Sequence, residues 1–163
     1  MAPRQLSRVL LVWVGRRAPE PLEALTEVYA RRVARFFPFS EVRVPPAEGR
    51  AGDPHRALAR EAAAIRKHLE PSDTLVALDE RGRERTTAEL ARWLDERSQT
   101  GRTAFVIGSD LGLDEELKAA AQERLALSRL TLPHHLVRLL LLEQLYRASD
   151  LLAGGQYHRG GLG

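Results

Sequence analysis

The stretch that decides the fold is Leu127-Ser128-Arg129-Leu130-Thr131-Leu132-Pro133-His134-His135. A short apolar segment carrying polar side chains runs into a proline, which suits the first turn of a helix because its φ is fixed and its missing N–H is not needed there. Residues 136–152 follow as a helix with leucine on nearly every side, a pattern typical of burial on more than one face. In a chain of 163 residues, that much apolar surface indicates a partner subunit as well as a sheet.

Along the whole chain, short apolar runs alternate with amphipathic helical segments. The patterns predict strands at 9–14, 42–44, 74–78, 104–107 and 125–130, a loop at 79–82, and helices at 21–33, 57–69, 86–99, 115–123 and 136–152. Thr86 and Glu89 have the spacing of a capping box at a helix start, and Glu143 and Arg147 have the spacing of an i,i+4 ion pair on the last helix. This alternation is typical of a parallel α/β sheet covered on both faces. Ligands bind such sheets beyond the carboxyl ends of the strands, so we expect a site in the loops after Leu78, Ile107 and Leu130.

The composition excludes several classes of protein and site. The chain has no cysteine, which rules out disulfides and thiolate chemistry and fits a cytoplasmic protein best. The apolar run at 9–14 is too short for a signal segment or a membrane span, so we expect no membrane association. His134 and His135 point to different faces and no third ligand has metal spacing, so we expect no metal.

The basic residues are almost all arginine, since Lys67 and Lys118 are the only lysines, and the formal net charge is +3. Arginine matches phosphate geometry and stacks on bases, which indicates an RNA-binding surface. A GC-rich genome that encodes arginine in place of lysine explains the bias equally well, because arginine and glutamate are interspersed as on any solvated face.

Two short motifs are candidates for chemistry. Gly108-Ser109-Asp110-Leu111-Gly112 follows a predicted strand, where glycine lets backbone approach a ligand. It lacks the G-x-G-x-x-G spacing of dinucleotide-binding motifs and the lysine of a phosphate-binding loop. A simple strand-to-helix turn is the commoner structure for such a sequence. Gln156-Tyr157-His158-Arg159, here called the tail, sets a phenol, an imidazole and a guanidinium in a row. Glycines at 154 and 155 would let the tail turn back across the site; a tail that only caps the core is the alternative.

The residues from Leu75 to Arg159 resemble the RlmH (YbeA-like) family of SPOUT methyltransferases, and the N-terminal half matches mainly in pattern. The segments that carry the resemblance are Val76-Ala77-Leu78-Asp79, Phe105-Val106-Ile107-Gly108, Leu127-Ser128-Arg129-Leu130-Thr131-Leu132-Pro133-His134, Val137-Arg138, Glu143-Gln144-Leu145-Tyr146-Arg147-Ala148 and Tyr157-His158-Arg159. The family uses S-adenosyl-L-methionine to methylate N3 of a pseudouridine in bacterial large-subunit (23S) ribosomal RNA.

The resemblance implies a parallel-sheet α/β-knot (SPOUT) fold with a C-terminal trefoil knot, in a homodimer that acts on large-subunit rRNA or the ribosome. Residues 1–159 would form a single methyltransferase domain, and 160–163 a disordered extension. The implied cofactor-binding residues, which would act largely through backbone groups, are Leu78, Gly108, Leu127, Ser128, Arg129, Leu130, Thr131 and Leu132.

The resemblance also implies that the tail is catalytic. Arg159 would stabilise the negative charge that develops on the uracil ring, His158 is a candidate base for the N3 proton, and Tyr157 would stack on or hydrogen-bond to the target base. Two interpretations from other classes remain. One is a ribosome-associated RNA-binding dimer without methyltransferase activity, and the other is a flavodoxin-like nucleotide binder, although no phosphate loop follows the first strand.

One position departs from the family pattern. Ser109 stands where the family usually has a second glycine. A positive φ at this position would strain a serine, whereas a requirement for nothing more than a small residue would tolerate it. The departure therefore bears on cofactor affinity more than on the fold.

Overall fold

A parallel sheet organises the part of the chain that the computed structural model describes, which is residues 8–48, 52–97 and 100–160, with Arg159 and Gly160 described by their backbone alone. The strands are β1 (Val9–Val14), β2 (Phe39–Val44), β3 (Thr74–Glu84), β4 (Thr103–Ile107) and β5 (Glu123–Ala126). The helices are α1 (Glu20–Val33), α2 (Pro54–Arg66), α3 (Thr87–Arg97), α4 (Glu115–Ala120), α5 (His134–Leu152) and α6 (Tyr157–Gly160). The extension expected at 161–163 lies outside the described residues.

The strand order is β2-β1-β4-β3-β5, and every neighbouring pair is parallel. All residues of β1 and β4 are buried, because both strands lie inside the sheet with helices on each face. Continuous apolar runs are what such strands require. The predicted parallel α/β class is confirmed.

The helices divide between the two faces of the sheet. α1, α3 and α5 cover the face that carries Leu11, Trp13 and Phe105, whereas α2 and α4 cover the face that carries Val12 and Val106. Alternate residues of one strand thus enter different cores. α5 packs against both α1 and α3, so the leucine-rich helix is buried on more than one side, as predicted. No helix among the described residues is long and apolar enough to cross a membrane.

A largely buried ion pair joins the residues that directly precede β3 and β4. Arg102 donates from Nε to Asp73 Oδ1 at 2.8 Å and from Nη2 to Asp73 Oδ2 at 2.7 Å. The amide of Glu70 also donates to Asp73, at 2.8 Å. Burial alone would raise the pKa of Asp73, but these hydrogen bonds and the charge of Arg102 outweigh it and hold the pKa below its usual value.

Several predicted boundaries are wrong, and the two largest errors lie at the carboxyl edge of the sheet. β3 does not stop at Leu78: it continues to Glu84, and Leu125 of β5 pairs with both Leu78 and Arg83 across an irregularity. The predicted loop at 79–82 is therefore an excursion within a strand. A Cβ at Gly82 would lie 2.6 Å from the Arg124 carbonyl, so glycine is required for this close approach.

The second wrong boundary concerns the strand predicted at 125–130, which ends at Ala126. The polar side chains that follow do not suit a strand buried on both faces. Ser128 Oγ instead accepts a hydrogen bond from the amide of Leu130 at 3.0 Å, and such local bonding by serine favours a turn over a strand. The helix predicted at 115–123 likewise ends early, at Ala120, and leaves room for β5 to begin at Glu123.

Most helix starts are encoded locally and were predicted to within two residues. The exception is α2, which was predicted at 57–69 and runs from Pro54 to Arg66, and β2 likewise begins at Phe39, three residues before the strand predicted at 42–44. The amide of Glu89 donates to Thr86 Oγ1 at 3.1 Å, and the amide of Thr86 donates to Glu89 Oε2 at 2.7 Å. This reciprocal pair is the capping box expected before α3. The ion pair predicted on α5 is also present, with Arg147 Nη2 at 2.6 Å from Glu143 Oε1.

Candidate active site

A cavity of about 800 Å³ opens where β3, β4 and β5 end. Its wall is built by 78–81 after the first part of β3, by 107–113 after β4, by 127–128 and 130–134 after β5, and by Lys118, Leu125 and Val137. This is the edge of the sheet where a parallel α/β fold binds its ligands. We call it the cofactor cavity below.

Most of the predicted cofactor-binding residues meet in this cavity. The residues from that set that line it are Leu78, Gly108, Leu127, Ser128, Leu130, Thr131 and Leu132. Arg129 does not line it: its guanidinium forms an exposed ion pair with Glu84 and donates to the Glu80 carbonyl at 3.4 Å. The side chain of Arg129 therefore fastens the loop after β5 to the excursion of β3, across the outside of the cavity.

Several lining residues were missed by the site prediction. Asp79, Glu80 and Arg81 contribute a charged rim, and Lys118 contributes a cation that pairs with Glu115 at 2.8 Å. The available signal was a charged cluster placed directly after a buried strand. The loop after Leu78 was expected to form part of a site, but Leu78 alone was named there as a binding residue.

The segment at 108–112, here called the glycine turn, depends on its two glycines for different reasons. A Cβ at Gly108 would lie 2.2 Å from the Gly112 carbonyl oxygen, so only glycine lets the two ends of the turn close on each other. Gly112 has a φ of +88°, and its amide donates to the Ser109 carbonyl at 2.9 Å. No non-glycine residue in the described part of the chain has a positive φ, so Ser109 is not strained.

Two adjacent histidines at the start of α5 have different surroundings. His134 lines the cofactor cavity, and a Cβ at Gly15 would lie 2.7 Å from its Nε2. His135 contacts the edge of the Trp13 ring at 5.9 Å, and its buried Nδ1 has no hydrogen-bond partner among the described residues. Burial lowers the pKa of His135, and the nearby charges of His134 and Arg138 act in the same direction. Within the described ranges, no group of three potential ligands could hold a metal ion.

A second, smaller cavity of about 260 Å³ lies beside Trp13 and contains the buried guanidinium of Arg138. Arg138 donates to Glu23 at 2.8 Å and to Glu41, and it stacks 4.5 Å from the centre of the Trp13 ring. Burial opposes ionisation of Glu23, but the hydrogen bond and charge of Arg138 hold its pKa below the usual value. The arrangement joins α5 to α1 and β2, and removing either carboxylate would leave a buried charge poorly paired.

The tail lies against helices and, where its side chains are described, does not line the cofactor cavity. Tyr157 donates from its hydroxyl to Glu143 at 3.2 Å, and its amide donates to Asp150 at 2.9 Å. Its hydroxyl also lies 3.3 Å from that of Tyr29 on α1. Glu143 is nine residues beyond His134, which corresponds to about 14 Å along the helix.

The glycine reversal expected before the tail is present, but it leads elsewhere. Gly154 has a φ of +77°, and the amide of Gly155 donates to the Asp150 carbonyl at 2.8 Å. The chain thereby folds back onto α5 and α1 and not across the cavity of the same chain. His158 Nδ1 is buried without a hydrogen-bond partner among the described residues. The side chain of Arg159 lies outside the described residues.

Comparisons with known proteins identify the family of this chain. A family model described as predicted SPOUT methyltransferase matches residues 8–158. A Nitrosospira multiformis protein named ribosomal RNA large subunit methyltransferase H is 44% identical over 157 residues, covering 93% of this chain and 99% of that protein. A Maridesulfovibrio salexigens protein of the same name is 39% identical over 157 residues, covering 94% and 99%.

Among solved structures, a probable methyltransferase from Bordetella pertussis Tohama I has a TM-score of 0.53 at 18% identity and covers 88% of this chain and 95% of that one. At that identity the likeness concerns the fold alone. Together, the family match and the full-length relatives show that this chain belongs to the SPOUT methyltransferase family, within the group of ribosomal RNA large subunit methyltransferase H.

Proposed function

We propose that this chain uses S-adenosyl-L-methionine to methylate N3 of a pseudouridine in bacterial large-subunit (23S) ribosomal RNA. The observation that carries the proposal is that three separate segments, 78–81, 107–113 and 127–134, converge on one cavity where strands end. Three of the six segments through which the chain resembles the family overlap these stretches. The relatives that match nearly its whole length are named for methylation of the same RNA subunit.

The residues around the cavity fit the cofactor. A volume of about 800 Å³ lies within the range of sites that enclose cofactors. Leu78, Leu127 and Leu132 offer apolar walls, and the glycine turn and the loop at 127–132 would hold the cofactor through backbone N–H and C=O groups. The cofactor supplies a methyl group that its sulfonium already activates. The protein has to place N3 in line with that methyl and remove the proton from N3.

The tail supplies the groups for proton removal in this proposal. His158 has a nitrogen without a partner in the described part of the chain and is the proposed base. Arg159 stabilises the negative charge that develops on the ring. Burial and the neighbouring Tyr29 and Glu143 raise the pKa of Tyr157, so its phenol stays protonated and serves as a stacking and hydrogen-bonding surface for the base.

A homodimer reconciles the tail with the cavity. Within one chain they occupy different parts of α5, so we propose that the tail serves the cavity of a second copy. Leu136 and Leu140 support this, because they are 38% and 40% exposed on one face of α5, and Leu130 at the cavity is 73% exposed. Apolar side chains grouped in this way are typical of an interface. We also propose that α5, held between α1 and α3, completes the implied trefoil knot.

The proposal also covers the compartment and the form of the RNA substrate. The chain acts in the cytoplasm on large-subunit rRNA, either within the ribosome or before its assembly. Calorimetric titration with S-adenosyl-L-methionine tests the enzyme directly. Absence of binding at millimolar cofactor would contradict the enzyme and favour an RNA-binding dimer without methyltransferase activity.

A truncation tests the role of the tail. Ending the chain after Gln156 should abolish methyl transfer to 23S rRNA and leave cofactor affinity within a few-fold. Arg159→Ala alone should lower transfer by about 100-fold, the usual cost of losing one donor to a developing anion. Full transfer by the truncated chain would make the tail a structural cap.

Mixed subunits test whether the tail acts on the partner. A chain truncated after Gln156 keeps its cavity, and a Gly108→Ala chain keeps its tail. Co-expression should restore transfer, because a mixed dimer pairs one intact cavity with the tail of the other chain. Each mutant should be inactive alone. If isolated mixed dimers are inactive as well, the proposal that the tail serves the cavity of the partner is wrong.

A further inference from the structure

We infer that Glu61 is a positioning residue for the cofactor cavity, a buried carboxylate on α2 that fixes the glycine turn through the hydroxyl of Ser109. The inference rests on the proposed function in one respect, which is that the ligand of the cavity is S-adenosyl-L-methionine. It assigns a role to a residue that does not line the cavity, and it explains how serine is accommodated where the family usually has glycine.

Glu61 joins two segments that are distant in sequence. Only 4% of the residue is exposed. Its Oε1 accepts a hydrogen bond from Ser109 Oγ at 2.8 Å, and its Oε2 accepts one from the amide of Ala47 at 3.0 Å. A carboxylate is tolerated at such depth only when hydrogen bonds compensate for lost water. The two oxygens therefore tie α2 both to the segment after β2 and to the turn after β4.

Ser109 transmits this constraint to the wall of the cavity. Its hydroxyl donates to Glu61 and accepts a hydrogen bond from the amide of Leu111 at 3.3 Å. The Ser109 carbonyl accepts from Gly112 at 2.9 Å. Leu111 and Gly112 line the cavity. A continuous path of hydrogen bonds thus runs from the buried carboxylate to the backbone that would contact the cofactor.

The turn needs such a constraint because its ends are glycines. Gly108 and Gly112 allow the close approach and the positive φ that shape the turn, but glycine also gives the free backbone many alternatives. A turn that visits other conformations binds more weakly, since the apparent dissociation constant rises as the competent fraction falls. Holding Ser109 raises that fraction, while Glu61 itself does not line the cavity.

Calorimetric titration of S-adenosyl-L-methionine into the full-length chain tests the inference. Glu61→Ala should raise the dissociation constant about ten-fold, because Ser109 loses its acceptor and the turn loses its constraint. Transfer at saturating cofactor should change less than about two-fold, because the reacting groups lie elsewhere. Ser109→Ala removes the hydroxyl while leaving the bond from Ala47, so it should fold readily and weaken binding several-fold. In the cofactor-free chain, both variants should speed amide exchange at Leu111 and Gly112.

Asp73→Asn is the matched control. It alters another buried, hydrogen-bonded carboxylate, but at the amino ends of β3 and β4, opposite the cavity. It should lower the unfolding temperature and leave cofactor affinity unchanged. Equal loss of affinity in Asp73→Asn and Glu61→Ala would reduce Glu61 to a general stabiliser and overturn the inference.

A double variant tests whether the two residues act as a unit. Glu61→Ala should weaken binding less in a Ser109→Ala background than in the original chain. Independent, multiplicative effects would overturn the inference. So would unchanged affinity and exchange in both single variants. Absence of cofactor binding by the unsubstituted chain would overturn the proposed function as well, which separates the two failures.

Discussion

The cofactor cavity and the tail are built from different kinds of chemical group. The cavity is made largely of turns, glycines and aliphatic side chains, and it is enclosed by segments of a single chain. The tail uses aromatic and charged side chains, with Arg147 stacked 4.6 Å from the centre of the Tyr157 ring and Tyr146 at 4.6 Å from the same ring. In the proposed function, one region offers backbone to a cofactor, and the other offers side chains to a base.

If these roles are as proposed, cofactor binding and methyl transfer are separable in this protein. Changes in the cavity should affect cofactor affinity even in an isolated chain. Changes in the tail or in the face of α5 should affect transfer while cofactor affinity survives.

The largest effect is expected from glycine substitutions, one in each region. Gly108→Ala places a Cβ against the Gly112 backbone and should abolish measurable cofactor binding, since backbone cannot move aside as a flexible side chain does. We expect a cost of about 1–3 kcal/mol in the free energy of unfolding. Gly154→Ala strains a positive φ near the tail and should cost about 1 kcal/mol while leaving binding intact. Calorimetry and thermal unfolding of both variants measure this, and loss of binding in Gly154→Ala would contradict the separation.

Changing the exposed face of α5 should have the next largest effect. Leu140→Asp puts a charge on an apolar face where Leu140 is 40% exposed, so a dimer formed there should dissociate. Light scattering at micromolar concentration should report half the mass of the original protein, with transfer lost and cofactor affinity within a few-fold. Ala63→Asp, on an exposed position of α2 across the sheet, is the control and should keep the original mass. A monomeric original chain would remove the basis for a shared site.

A smaller effect is expected from the hydroxyl of Tyr157. Tyr157→Phe removes the hydrogen bond to Glu143 and the contact with Tyr29 while keeping the ring. The free energy of unfolding should fall by about 1 kcal/mol, the usual net value of one such bond. Tyr146→Phe is the control, because the Tyr146 hydroxyl makes no hydrogen bond among the described residues. Cofactor affinity should not change in either variant, and a shift in Tyr157→Phe would connect the tail to the cavity of its own chain.

The smallest effect is a difference in how the two regions respond to pH. The pKa of His135 is below 6.5 in the fold, so its contribution to stability is present above that pH and is lost as the pH falls, because the unfolded chain takes up the proton first. The pKa of Tyr157 is raised above 10, so its contribution is present below pH 10 and is lost as the pH rises. His135→Gln should therefore flatten the loss of stability between pH 7 and 5, with exposed His68→Gln as the control. Denaturant unfolding at each pH measures the free energy of unfolding. If it falls with pH in the same way for both variants, the lowered pKa of His135 is contradicted.

Local signals in the sequence predicted much of the fold. The capping box at Thr86 and Glu89, the apolar run of β1 and the leucines of α5 each act over a few residues, and each was found where it was expected. The errors lie where pairing across the sheet decides the outcome. Leu125 pairs with both Leu78 and Arg83, and no sequence pattern within 79–82 indicates that the strand continues.

The candidate site was predicted in the same uneven way. The resemblance identified part of the cavity lining, because the segments that carry it are contiguous in sequence. The outward direction of Arg129 was not predictable, since it depends on Glu84 and Glu80 from a distant strand. The bond between Ser109 and Glu61 spans 48 positions and likewise required the assembled fold.

The double pairing of β5 with β3 has a consequence for how this protein could diversify. Four residues of β5 hold the strand on both sides of the excursion at 79–82, so the sheet is secured before and after it. Insertions at Glu80 or Arg81 would therefore lengthen the rim of the cavity without shifting the register of any strand, provided that Gly82 keeps its approach to Arg124. Related enzymes could reshape the entrance here while inheriting an unchanged scaffold.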